Sequence, residues 1–182
     1  MTDPREKEIL ELLNRPDTFN KGFELLVKTY QRGIYFVIRR MILDHDETND
    51  LVQEVFIKVF RSFSRFKNQS TLYTWIYSIA VNTTLNALSS KKNKARLSGE
   101  ISAQLVAEKL RSDPWFDTDE IMIRFQQAMA LLPGKQRIVF QMRYYDETPY
   151  EELSKILNTS VGALKASYHH AAKKIGDFIT SH

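Results

Sequence analysis

Apolar positions recur every three or four residues along most of the chain. Phe19, Phe23, Leu26, Tyr30, Ile34, Val37 and Met41 share one helical face, which predicts a long amphipathic helix over 19–43. Gly22 and Gly33 lie inside it, where glycine costs about 1 kcal/mol relative to alanine; close approach of another helix is one explanation. A second stripe, Leu51/Val52, Val55/Phe56 and Val59/Phe60, predicts a helix over about 50–63, after a turn at 44–47. Its opposite face carries Asp50, Gln53, Glu54, Ile57, Lys58 and Arg61. Residues 63–70 read as a loop. Ser70 or Thr71 then caps a helix to about 89, with Leu72, Trp75, Ile76, Ile79, Ala80 and Thr83 facing inward.

The rest of the pattern is also helical. Asp3-Pro4-x-Glu6 is a candidate capping box for a short first helix to about Leu13, and Pro16 separates it from the next. Residues 91–118 break the periodicity and open with Lys91, Lys92, Lys94 and Arg96, so they read as a flexible linker, helical in part around 103–110. Asp117-x-x-Glu120 is a candidate cap for a helix to Leu131, stopped by Leu132-Pro133-Gly134, and another helix follows over about 135–145. Thr148-Pro149-Tyr150-Glu151 reads as a capping box with proline at the first helical position. It opens a short helix to about Leu157; the turn Asn158-Thr159-Ser160 leads into a last helix over 161–178, capped by Ser160. The expected fold is all-α: two small helical domains, 1–90 and 119–182, joined by the linker.

Composition narrows the chemistry. The 182 residues are 43% hydrophobic and 26% charged, as in globular domains. Six glycines and five prolines are too few for a turn-rich β fold. The absence of cysteine excludes disulfides, thiolate zinc sites, iron–sulfur clusters and thiol nucleophiles. A net charge of +4 is spread along the chain, so any basic footprint must be local. The polar start Met1-Thr2-Asp3-Pro4-Arg5-Glu6 gives no expectation of a signal peptide, and no apolar run approaches the ~20 residues that span a bilayer. A cytoplasmic protein is the expectation.

Two segments carry candidate binding chemistry. Residues 149–170 have the order of a helix-turn-helix: a short helix, a tight turn and a longer helix. Leu153, Ile156 and Leu157 can meet Val161, Leu164 and Tyr168. The outward face would hold Ser160, Gly162, Ala163, Lys165, Ala166, His169 and Lys173, with no acid from 160 to 176. Lysine and histidine there suit phosphate contacts more than bidentate base reading. A plain helical hairpin with a solvated face fits the same periodicity. Adjacent His169 and His170 point about 100° apart with no partner at i,i+4, so neither a metal nor another cofactor is expected. In the second segment, Phe63, Phe66, Tyr73, Trp75 and Tyr77 alternate with Arg65, Lys67, Asn68, Gln69, Ser70, Asn82 and Asn86. Rings that stack on bases beside cations that track phosphates suit single-stranded nucleic acid, and a polar loop before a helix can enclose a flipped base. Trp75 at helical spacing reads more simply as core.

In this order the motifs resemble the sigma-70 family of bacterial RNA polymerase initiation factors, in its extracytoplasmic-function (ECF) group. Residues 50–60, DLVQEVFIKVF, resemble the family's polymerase-binding helix, and 74–82, TWIYSIAVN, the start of its −10-recognising helix. Residues 131–140 resemble the opening of its fourth region, and Tyr150-Glu151-Glu152-Leu153 with Val161-Gly162-Ala163-Leu164-Lys165 its helix-turn-helix. The resemblance covers nearly the whole chain apart from the linker. It implies an alternative sigma factor that binds core RNA polymerase and directs promoter-specific transcription initiation. The polymerase clamp would meet Asp50, Gln53, Glu54, Ile57, Lys58 and Arg61. The −10 element, melted in part to single strand, would meet Phe66, Lys67, Asn68, Gln69, Ser70, Thr71, Asn82 and Asn86. The duplex −35 element would meet Ser160, Val161, Gly162, Ala163, Lys165, Ala166, His169 and Lys173, while the second domain also binds the polymerase flap. An anti-sigma factor is a further implied partner, with no membrane insertion. The final helix is poorer in arginine than the family often shows, and Asn86, Lys91 and Lys92 stand where an acid and arginines are common.

Other readings stay open. A stand-alone helix-turn-helix regulator would bind duplex operators without polymerase. An adaptor would bind polymerase without reading DNA. An enzyme is not expected, since the sequence has no G-x-S-x-G, phosphate loop or metal-ligand spacing.

Overall fold

The computed structural model describes residues 4–42, 44–98, 103–114 and 119–181, and all regular structure among them is helical. The helices are α1 (Pro4–Leu13), α2 (Phe19–Met41), α3 (His45–Ser62), α4 (Leu72–Ser98), α5 (Ala103–Ser112), α6 (Glu120–Leu131), α7 (Gly134–Tyr144), α8 (Tyr150–Leu157) and α9 (Val161–Ser181). A 3-10 turn, Phe63–Arg65, extends α3.

Helix ends follow local capping chemistry, not always at the residues the pattern suggests. The expected turn at 44–47 is the start of α3: Asp44 is extended and its carboxylate accepts the Glu47 amide at 3.0 Å. Asp46 and Glu47 then sit in the first turn, where the helix dipole favours acids. At α6 the cap is Asp119, which accepts from the Ile121 and Met122 amides at 2.8 and 3.4 Å; Asp117 lies outside the described residues. The capping box at 148–151 does not form. Pro149 itself is the N-cap, which leaves Thr148 one position too far out. Buried Thr148 instead donates its amide to Met142 O and accepts from Arg143. Ser160 does cap α9, accepting the Ala163 amide at 3.3 Å, and Thr71 accepts the Thr74 amide at 3.1 Å ahead of α4. Glu6 caps across the fold: on the buried face of α1, it accepts the Leu72 amide at 2.8 Å. Asp3, the other half of the expected first box, is outside the described residues.

Helix α4 passes its expected end near 89 and continues to Ser98, because nothing from 72 to 98 is proline or glycine. With α5 following, the connector is helical over 91–98 and 103–112, and Asp113 and Pro114 lie outside helix.

Both early glycines mark close helix approach. A Cβ on Gly22 would stand 2.8 Å from Leu12 Cβ, and one on Gly33 would collide with the Tyr77 hydroxyl. Around them α2, α3 and α4 bury Ile34, Ile38, Val55, Val59, Leu72, Ile76 and Ala80. A second, smaller cluster joins α6, α7 and α9 through Ala128, Met129, Leu132, Phe140, Ala171 and Ile175. Phe140 stacks on both Tyr144 and Tyr168, with centroids 5.4 and 5.3 Å away. The opposite faces of α7 and α8 carry Ile138, Val139, Met142, Leu153 and Ile156 into the first cluster. Both halves therefore contribute to the larger cluster, while the smaller one belongs to the second half alone. Among the described residues no helix is long and apolar enough to cross a membrane.

Candidate nucleic-acid interface

A cleft of about 430 Å³ runs between α3 and α4. One wall is Lys58, Arg61, Ser62 and Arg65, from the end of α3 and the 3-10 turn. The other is Ile79, Asn82, Thr83 and Asn86, a single face of α4 at helical spacing. Lys58 Nζ crosses the cleft to Thr83 Oγ1 at 3.1 Å and pairs with Glu54 at 2.6 Å. Arg61, Arg65, Asn82 and Asn86 are exposed. Three cations thus face two amides across a concave, solvent-open surface, which suits a phosphate with its attached base.

The geometry divides the expected polymerase-facing residues. Asp50, Gln53, Glu54 and Ile57 point outward from α3, and Ile57 and Phe60 are each about half exposed, at 49% and 48%. Lys58 and Arg61 belong instead to the cleft with Asn82 and Asn86. Arg65, missing from the expected site, completes the cationic wall. Its position four residues after Arg61 is the signal that places it there.

The loop before α4 is less uniform than its sequence suggests. Phe66 packs on Trp75 with centroids 4.9 Å apart and on Phe63 at 6.1 Å, so its ring braces the loop. Trp75 is half-buried in the same cluster, close to the core role expected of it. Lys67, Asn68 and Gln69 are exposed, and Asn68 turns the chain through a left-handed conformation, φ 53°, that asparagine tolerates. Ser70 is half-buried, and the Thr71 hydroxyl is engaged with Thr74.

Helices α8 and α9 form the expected helix-turn-helix. Asn158 adopts the left-handed conformation, φ 46°, that stops α8 and starts the turn. Leu153, Ile156 and Leu164 are buried together, with Leu157 and Tyr168 packed at their edge. Ser160, Gly162, Ala163, Lys165, Ala166, His169 and Lys173 are all exposed on α9, and Val161 is half-buried. A Cβ on Gly162 would meet nothing within 4 Å, so no internal contact requires glycine there. Lys165 lies 5.7 Å from the Tyr150 ring, a cation–π contact that ties this face back to α8.

Comparisons with known proteins follow the same division. The family model for sigma-70 region 2 matches residues 26–94, which hold the cleft. The model for sigma-70 region 4 matches residues 122–175, which hold the helix-turn-helix. The chain is 29% identical to the RNA polymerase sigma-H factor of Pseudomonas aeruginosa, over 96% of this chain and 94% of that protein. It is 29% identical to the ECF sigma factor SigW of Bacillus subtilis, over 85% and 87%. It is 28% identical to the ECF sigma-E factor of Escherichia coli K12, over 93% and 92%. In fold it resembles CnrH, solved with the cytosolic domain of CnrY: TM-score 0.70 at 16% identity, covering 98% of this chain and 99% of that one. It also resembles the sigma factor RpoE of Bartonella quintana, solved with the anti-sigma factor NepR: TM-score 0.68 at 19% identity, covering 88% and 98%. With both regions in family order on one helical chain, the protein belongs to the sigma-70 family, in its extracytoplasmic-function group.

Proposed function

We propose that the chain is an alternative sigma factor that binds core RNA polymerase in the cytoplasm and directs initiation at promoters with specific −10 and −35 elements. The observation that carries this reading is the cleft: Lys58, Arg61 and Arg65 face Asn82 and Asn86 within the region 2 match, while the region 4 match presents an open helix-turn-helix. Cations draw a phosphodiester strand in, and the amides can pair with the edge of an extruded base. Exposed Lys67, Asn68 and Gln69 extend that surface along the loop. On α9, Lys165, His169 and Lys173 would contact phosphates while the small residues Gly162, Ala163 and Ala166 let the helix seat in the major groove.

The exposed stripe Asp50, Gln53, Glu54 and Ile57 on α3 is the proposed clamp contact. Exposed Ile121, Met122, Leu131 and Tyr144 supply apolar surface on the second half for the flap. An anti-sigma factor is a proposed partner, supported by NepR and CnrY, each bound to a structural neighbour. The chain contributes binding and strand separation, and the polymerase contributes the chemistry. Run-off transcription with purified core polymerase on a genomic fragment library tests this. New start sites that appear only with the chain, sharing −10 and −35 sequences, are expected. Duplex binding without any effect on start sites would favour a stand-alone regulator.

A further inference from the structure

We propose that Tyr150 is a positioning residue for the duplex contact of the helix-turn-helix: its ring holds the Lys165 ammonium ready for DNA without lending it a counter-charge. The inference rests on the proposed function, in which Lys165 meets a −35 phosphate. Tyr150 is the first residue of α8, half-buried, with its ring packed at the edge of the larger apolar cluster. Two cations lie over that ring. Arg143, near the end of α7, stands 4.6 Å from its centroid, and Lys165, one turn into α9, stands 5.7 Å away. Arg143 is the fixed one. Its Nη1 donates to Glu147 O at 3.2 Å and to Thr148 O at 2.6 Å, two carbonyls of the turn that leads into α8. Glu147 is left-handed there, φ 49°, a conformation that glutamate rarely adopts. Core packing and a clamped guanidinium together fix the place of the ring.

Lys165 is the movable partner. It is exposed and, among the described residues, forms no ion pair. A lysine that binds phosphate loses the rotamers of its four-carbon stem, and that cost is subtracted from affinity. A neighbouring carboxylate would order it beforehand, as Glu54 orders Lys58 at 2.6 Å. The same carboxylate would repel the incoming phosphate and offset part of the lysine charge. An aromatic face orders the ammonium and carries no net charge, and it leaves the three N–H donors available. The attraction is weak at an exposed site, so it biases the lysine toward one region and does not trap it. Helix α9 itself has no acid from 160 to 176 that could order the lysine.

The test is binding of the full chain to a −35 duplex across a salt series, with DNA taken from the start sites that run-off transcription yields. Tyr150→Leu is expected to weaken binding about threefold, no more than Lys165→Ala does. It should leave the salt slope unchanged, because the phosphate contact survives and only its ordering is lost, whereas Lys165→Ala lowers the slope. In the Lys165→Ala background Tyr150→Leu should add nothing, and Tyr150→Phe should bind as wild type does. Equal losses from Tyr150→Leu in both backgrounds would overturn the inference. So would a loss from Tyr150→Phe as large as that from Tyr150→Leu, which would put the hydroxyl itself on DNA. Should Tyr150→Leu fail to fold, Tyr150→Phe and Tyr150→3,4,5-trifluorophenylalanine, made by nonsense suppression, keep the ring shape and differ in its quadrupole. Affinity should then fall with fluorination while Lys165 is present and stay flat in the Lys165→Ala background; a flat response in both overturns the inference. If wild type binds no such duplex, the −35 part of the proposed function falls and takes the inference with it. Wild-type binding that no Tyr150 variant alters sinks the inference alone.

Discussion

The cleft between α3 and α4 and the open face of α9 are both proposed to meet DNA, yet they are built oppositely. The cleft is concave, with three cations and two amides converging from two helices. The α9 face is convex, nearly bare of long side chains from Ser160 to Ala166 apart from Lys165, and free of acids. A concave cationic site can surround a single nucleotide, whereas a bare convex helix can only be inserted into a groove. That contrast supports the proposal of strand capture for the first and duplex docking for the second.

The largest effect should come from reversing charge in the cleft. Arg61→Glu with Arg65→Glu is expected to cut run-off transcription about a hundredfold, because like charges against phosphate cost several kcal/mol. Duplex −35 binding should stay unchanged. An equal loss in both assays would break the division of labour.

Next is the support beneath the cleft. Glu6→Ala removes the buried acceptor of the Leu72 amide and should cost about 1–2 kcal/mol of stability, read by denaturant unfolding. Because Glu6 holds the start of α4, promoter opening should weaken while the helix-turn-helix keeps its affinity.

Lys165→Ala and Lys173→Ala should each weaken duplex binding only a few-fold, uniformly across sequences. Each should lower the salt slope by about 0.9 for every phosphate left without its lysine. A change of sequence preference instead would mean that these lysines read bases.

The smallest effect is a pH slope. Burial is the main cause that pushes the Tyr77 phenol up to about 12, with the Asp146 charge adding to it. A raised folded-state value means the unfolded phenol ionises first. The stabilisation is complete below about pH 10 and is lost as pH rises towards 12. Tyr77→Phe should flatten the fall in melting temperature across that window.

Most of the helices were legible because their apolar stripes are long and regular; α2, α7, α8 and α9 lie where the 3.6-residue period puts them. Ends were harder. Asp44 and Asp119 cap from positions adjacent to other plausible acids, and only backbone geometry chooses between them. Glu6 as the cap of α4 was invisible, since its partner is 66 residues away. The helix-turn-helix face followed directly from spacing. The cleft did not: Lys58 and Arg61 lie on the polar side of α3, and the stripe alone could not show that α4 closes over one edge of it. The shared cluster was also hidden, because α7 and α8 bury two faces and periodicity does not name the partner of the second.

Thymine reactivity to permanganate within the −10 element, on a promoter recovered from the fragment library, tests the account most directly. With core polymerase and the chain together, the thymines should become reactive, and Arg61→Glu with Arg65→Glu should abolish that reactivity while the −35 footprint of the chain remains. Reactivity that develops with polymerase alone, or that survives the double charge reversal, would contradict the account.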